Sequence, residues 1–211
     1  NLVLGSALGS VTTATLNVGM GTGCLGPVTS ATLNVGIGAG AMISLSTGSR
    51  NNALGANCMA SVNTHGSNNA FGTDALRNCS LGDSNCAFGD DSQNAITSGS
   101  TNSSFGYQAL EHLITGSSNT CIGSQAGNSY TGAESSNICI MAGGTLGESN
   151  VMRLGTTGAG SGQVSTAYIA GVAGVTVANQ NLMIMNSSTG QMGSGLSLDA
   201  NFTFTDAAAG G

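Results

Sequence analysis

Asn17, Asn34, Asn51, Asn68, Asn85, Asn102 and Asn119 follow one another at a constant spacing of 17 residues. Gly21, Gly38, Gly55, Gly72, Gly89, Gly106 and Gly123 keep the same phase, four residues behind each asparagine. Asn1 and Gly5 add an eighth unit at a spacing of 16. The residue before each glycine is apolar: Met20, Ile37, Leu54, Phe71, Phe88, Phe105 and Ile122. The residue before that is small, from Gly19 and Gly36 through Ala53, Ala70 and Ala87 to Ser104 and Cys121. Two further columns are mostly apolar. Leu25, Met42, Met59, Leu76 and Leu110 lie four residues after the glycine, with Gln93 and Gly127 as departures. Val28, Leu45, Val62, Cys79, Ile96, Leu113 and Tyr130 lie seven after it.

A unit this short cannot bury its own core. Stacked units bring each apolar column into register and make a continuous strip. The segments are too short for independent helices and suit short strands joined by tight turns. The expected fold is therefore all-β: a parallel β-roll or solenoid of 17-residue coils. One coil advances by the strand spacing of ~4.8 Å, so eight coils make a rod of roughly 40 Å. The in-phase asparagines are expected to form a hydrogen-bonded ladder. The in-phase glycines are expected at turns needing positive φ or lacking room for a side chain. The column from Met20 to Ile122 is expected in the core, with Phe71, Phe88 and Phe105 stacked on consecutive rungs. One segment also fits a helical turn: in YQALEHLIT (107–115), Leu110, Leu113 and Ile114 have helical spacing.

Composition agrees with stacking. Charged side chains are only 6% of 211 residues, with a net charge of −6. A charge in a repeated column would face its own copy one coil away, which is destabilising. Fair hydrophobicity with so little charge argues against disorder. Glycine, at 35 residues, shows no period of three, which excludes collagen. Three arginines and no lysine leave no basic patch for nucleic acid. No apolar run approaches the length of a membrane span. The abrupt NLVLG start and TDAAAGG end are those expected of a piece of a longer protein.

The residues offer little chemistry. Cys24, Cys58, Cys79, Cys86, Cys121 and Cys139 are scattered without CxxC spacing and read as small apolar fillers. GMGTG (19–23) and GIGAG (36–40) lack the GK[ST] of a phosphate loop and recur with the repeat. His65 and His112 have no metal-ligand spacing and are expected on the surface. Asp90 and Asp91 are the only adjacent carboxylates, and neighbours on a strand point to opposite faces. A depolymerase with a paired-acid site is accordingly disfavoured. An ice-binding threonine column fails after Thr15 and Thr32, because the in-phase residues Ser49, Gly66 and Asp83 break it. Sequons at Asn78, Asn102, Asn186 and Asn201 are expected by chance in so Asn-, Ser- and Thr-rich a chain. No catalytic residue, cofactor or metal is expected.

The block GSNNAFGTDAL (66–76) resembles the head and shaft repeats of trimeric autotransporter adhesins and of trimeric viral and phage fibres. ESSNICI (134–140), GESNVMRLG (147–155), STAYIAGVAGVTV (165–177) and MIMNSSTGQMGS (183–194) follow in order. Together they look like the segment before the intramolecular chaperone of many tail-fibre proteins. The resemblance covers about 1–194. The tail departs from it: LSLDANFTFTDAAAGG (196–211) replaces the usual Ser-rich cleavage site, which puts a chaperone in doubt. The resemblance implies left-handed rolls and a homotrimer.

The expected organisation is a repeat shaft over 1–133, a β-rich connector with interlocking, trimer-locking strands over 134–194, and the start of a further β module or extended tail over 195–211. The expected role is that of a structural subunit of a trimeric surface fibre, spike or filament, extracellular on a virion or cell. Its expected partner is itself, as a homotrimer that can also join end to end in a filament, with neither nucleic acid nor an inserted membrane. The alternative is an adhesin-type module whose repeat surface contacts host glycan or protein.

Overall fold

Each repeat commits the three residues after its ladder asparagine to one short strand. In a computed structural model of the chain, the described residues are 1–4, 13–156, 183–185 and 192–194. The strands are β1 (Leu2–Leu4), β2 (Val18–Met20), β3 (Val35–Ile37), β4 (Asn52–Leu54), β5 (Asn69–Phe71), β6 (Cys86–Phe88), β7 (Ser103–Phe105), β8 (Thr120–Ile122), β9 (Ile138–Ile140) and β10 (Met152–Leu154). They pair in sequence order in one ten-stranded parallel sheet. From β2 to β8 the register advances one repeat per strand, as in Val35↔Asn52 and Phe71↔Phe88. The fold is a parallel β-solenoid, and no α-helix forms among the described residues.

Stacking continues past the expected boundary at residue 133. Thr120 pairs with Ile138, a coil one residue longer, and Ile138 with Met152, a coil three residues shorter. Residues 134–156 therefore carry two more rungs instead of a separate connector. The bulk of the expected interlocking run, 164–182, and the expected tail, 195–211, lie outside the described residues. A second compact unit contains β11 (Met183–Met185) and β12 (Met192–Ser194), an antiparallel pair.

The segment after each glycine winds without becoming a helix. In the coil beginning at Asn51, the amides of Cys58, Ala60 and Val62 bond three residues back, to Gly55, Asn57 and Met59. Those of Met59 and Ser61 bond instead to Ala75 and Arg77 of the next coil. An α-helix would need every amide to stay within its own segment. Drawing alternate amides to the next coil places Asn57 and Met59 at φ near +52° and +53°. The helix-like 107–115 follows the same rule: Leu110 donates to Ala126, Gln108 and Leu110 have positive φ, and Ile114 is exposed.

The core is made by the two later columns. Leu25, Met42, Met59, Leu76 and Leu110 are buried, as are Val28, Leu45, Val62, Cys79, Ile96, Leu113 and Tyr130. Cys24, Ala41, Cys58, Ala75, Ser92, Ala109 and Ala126 form a third, small-residue column beside them. The sheet wall presents its small residues to this core. At Gly36 an added Cβ would lie 2.7 Å from Cys24 Sγ and 3.2 Å from Met42 Cε, so the wall has no room for more. Where Gly127 interrupts the large column, Tyr130 packs into the space: a Cβ at 127 would lie 3.3 Å from its ring.

Candidate functional site

The asparagine ladder is the internal frame. Asn17, Asn34, Asn51, Asn68, Asn85, Asn102 and Asn119 are buried, and Asn137 continues them. Each side-chain oxygen accepts the backbone N–H of the next rung, from Asn17 N–H to Asn1 Oδ1 (3.0 Å) through to Val151 N–H to Asn137 Oδ1 (3.0 Å). Each amide nitrogen donates to a carbonyl at the following corner, as in Asn34 to Gly48 and Asn102 to Gly116, both at 2.9 Å. The ladder ends at Val151, which occupies the asparagine position of the last rung.

The in-phase glycines sit at φ between +120° and +143°, a region closed to side chains. Space forbids them too: a Cβ at Gly55 would lie 2.2 Å from the Gly72 carbonyl oxygen.

Beside this frame runs a second ladder. Ser49, Asp83, Ser100, Ser117, Ser135 and Ser149 each accept, through side-chain oxygen, a backbone N–H of the preceding coil at 2.7–3.1 Å. This is the column in which an ice-binding threonine row fails. Its signal in the sequence is the in-phase run of Ser49, Ser100 and Ser117, with Asp83 supplying the same kind of acceptor oxygen between them.

The column from Met20 to Ile122 points the other way from the expectation. Met20, Leu54, Phe71, Phe105 and Ile122 are 37–43% exposed, while Ile37 and Phe88 are half-buried. The reason is strand parity. With Asn68 inside, Asn69 faces out, Ala70 faces in and Phe71 faces out; the small residue takes the core position. The expected stacking does form, but on the outer face. The rings of Phe71 and Phe88 lie 4.6 Å apart and within 8° of parallel, and those of Phe88 and Phe105 lie 5.1 Å apart at 9°. With Leu4, Ile140 and Leu154 the column is an apolar stripe along all ten rungs, a length of roughly 43 Å at the strand spacing. Monomeric proteins rarely expose so continuous an apolar surface.

The C-terminal end of the solenoid closes with a polar network that the sequence did not announce. Arg153 stands on the inward-facing position of β10, in register with Cys139. Its Nε donates to Glu148 Oε1 at 2.8 Å and its Nη2 to Oε2 at 2.5 Å. Tyr130 Oη also donates to Glu148 Oε1, at 2.6 Å. The Arg153 hydrogen bonds come first in holding the Glu148 carboxyl down at about 2, against the opposing effect of burial. Burial and bonding to Cys139 and Glu148 push the Tyr130 hydroxyl up. Burial works against ionisation of Glu134, but backbone N–H groups, including Gly147 at 2.9 Å and Gly132 at 2.8 Å, outweigh it and lower its carboxyl.

The remaining candidates are accounted for by local structure. Cys24, Cys58, Cys79, Cys121 and Cys139 are buried free thiols, and Cys86 is half-buried on the outer face. Burial pushes Cys58 up to about 12 and Cys79 up to about 11. His112 is exposed, whereas His65 is half-buried, its Nδ1 3.0 Å from Asp83 Oδ2. Asp90 accepts the Thr73 N–H at 2.8 Å and Asp91 accepts the Asn94 amide at 3.0 Å. Among the described residues no group of three or more His, Cys, Asp and Glu side chains could hold a metal, and no helix is long and apolar enough to cross a membrane. A shallow polar groove of about 400 Å³ lies between Thr47, Ser49, Arg50, Thr64, Asp83 and Ser84. No protein-family model, curated protein or solved structure matches the chain.

Proposed function

We propose that the chain is a structural subunit of a homotrimeric fibre, spike or filament, displayed outside the cell or on a virion, with no catalytic role. The observation that carries this reading is the in-register apolar stripe centred on Phe71, Phe88 and Phe105. A solenoid of nearly uncharged rungs has one face whose burial is worth seeking, and it runs the whole length of the stack. Three copies laid side by side bury their stripes along a common axis. The internal ladders then keep each copy straight, so the assembly resists bending and holds whatever lies beyond it at a fixed distance. The sequence resemblance of 66–76 supports three copies over two.

A second reading is an adhesin whose repeat surface contacts a host glycan or protein. The polar groove beside Arg50 and Asp83 favours it, since hydroxyls and one arginine suit a sugar. Electron microscopy of the purified chain distinguishes these readings from an isolated solenoid. The fibre reading expects rods of threefold cross-section, and single thin particles would contradict it. Binding on a glycan array that is lost in Arg50→Ala would favour the adhesin reading.

A further inference from the structure

We propose that Cys121 and Cys139 are a redox-responsive dithiol that closes to a disulfide and fastens the last coils of the solenoid to one another. The two are the only register partners among the six cysteines, on adjacent parallel strands β8 and β9. At a strand spacing of ~4.8 Å their Cα atoms fall within the span that a disulfide bridges. Both side chains are buried on the inner face of the sheet. The other four sit on separate rungs or in different columns. The pair lies directly behind the Glu148–Arg153 cap, and Tyr130 Oη is 3.0 Å from Cys139 Sγ. Hydrogen bonding from Cys121 lowers Cys139, whereas burial and the same bond push Cys121 up, so Cys139 is the thiol that ionises first. Among the described residues β10 is the last rung of the sheet, and the Arg153 and Glu148 side chains beside the pair are partly exposed, which gives access from that side.

With a low-molecular-weight disulfide as oxidant, Cys139 loses its proton to solvent and its thiolate attacks one sulfur of the small molecule. The small S–S bond breaks, and one small thiolate leaves and takes up a proton. The Cys121 sulfur, its proton released to solvent, then attacks the Cys139 sulfur and displaces the second small thiolate, which is protonated in turn. Two protein thiols are oxidised by two electrons and one small disulfide becomes two small thiols.

The test incubates the full chain with oxidised glutathione, unfolds it in excess alkylating agent and maps the peptides. The expected result is four alkylated cysteines in place of six and a Cys121–Cys139 cross-link that dithiothreitol removes. Glu148→Gln, which loosens the cap, is expected to speed closure several-fold, while Cys121→Ser is expected to stop at a glutathione adduct on Cys139. Six alkylated cysteines, a cross-link between any other pair, or a lasting wild-type adduct on Cys139 would overturn the proposal.

Discussion

The side-chain oxygen of Asn68 accepts the backbone N–H of Asn85, one coil further on, at 2.9 Å, while its amide nitrogen donates to the Gly82 carbonyl at 3.0 Å. One buried carboxamide therefore satisfies one backbone donor and one backbone acceptor. Asn85 repeats the arrangement toward Asn102 and Gly99. Alanine at 85 leaves both groups unpaired, at about 1–3 kcal/mol each. Asn85→Ala should therefore cost roughly 2–6 kcal/mol in urea unfolding. Asn85→Asp should cost no less, because it sets a carboxylate oxygen against the Gly99 carbonyl.

Phe88 lies between two stacked rings on the outer face, so its removal should be mild within one chain. Loss of aromatic pairing is worth ~0.5–1.5 kcal/mol per pair, well below the ~3–5 kcal/mol of a core phenylalanine. Phe88→Ala should lower the stability of the isolated chain by roughly 1–3 kcal/mol while weakening self-association much more. Dilution-dependent denaturation separates the two effects.

Thr101 is a β-branched residue at φ +59° and is exposed. The left-handed region costs such a residue about 1–2 kcal/mol, and asparagine tolerates it better. Thr101→Asn should raise stability by about 1 kcal/mol, visible as a higher urea midpoint with an unchanged slope.

Gln93 stands where five other coils carry Leu or Met. Its Nε2 donates to Ser104 Oγ at 2.7 Å, and Ser104 Oγ lies 2.6 Å from Ser92 Oγ, but Gln93 Oε1 is buried with no partner. Replacing the whole cluster should help where replacing one member hurts. The triple variant Ser92→Ala, Gln93→Leu, Ser104→Ala should be more stable than the wild type by about 1–3 kcal/mol. Ser104→Ala alone should be less stable.

Glu148 gives the C-terminal cap a defined response to pH. Its carboxyl, held at about 2 in the fold, is well below the ordinary glutamate value of ~4.3. The stabilisation is complete above the ordinary value and is lost as pH falls through about 2. Glu134, also lowered, acts in the same direction. Hydrogen-exchange protection at Ile138, whose amide bonds to Val151, should fall relative to its intrinsic rate over this window, and Glu148→Gln should flatten the dependence.

The repeat made much of this fold legible. The asparagine and glycine columns state their roles through phase alone, because only a stacked arrangement gives seven copies of one residue a common purpose. The columns through Leu76 and Cys79 are core for the same reason. The outer stripe departs from the core position that its size suggests, because parity decides burial. Once Asn68 is inside, Phe71 must be outside. The serine ladder from Ser49 to Ser149 was hidden by Gly66 and Asp83 within it. The last rungs were hidden by coil length: Asn150 looks like a ladder residue, but the in-register position is Val151. The Glu148–Arg153 cap has no repeat to announce it.

The claim that the exposed stripe is a seam between copies is tested most directly by sedimentation equilibrium of the wild-type chain beside Phe88→Asp. The account predicts three times the 20.5 kDa chain mass for the wild type. It predicts a folded single chain for Phe88→Asp, since a carboxylate on the outer face disturbs only the seam. A wild-type chain that sediments as a monomer at every concentration, or a Phe88→Asp chain that remains trimeric, would contradict it.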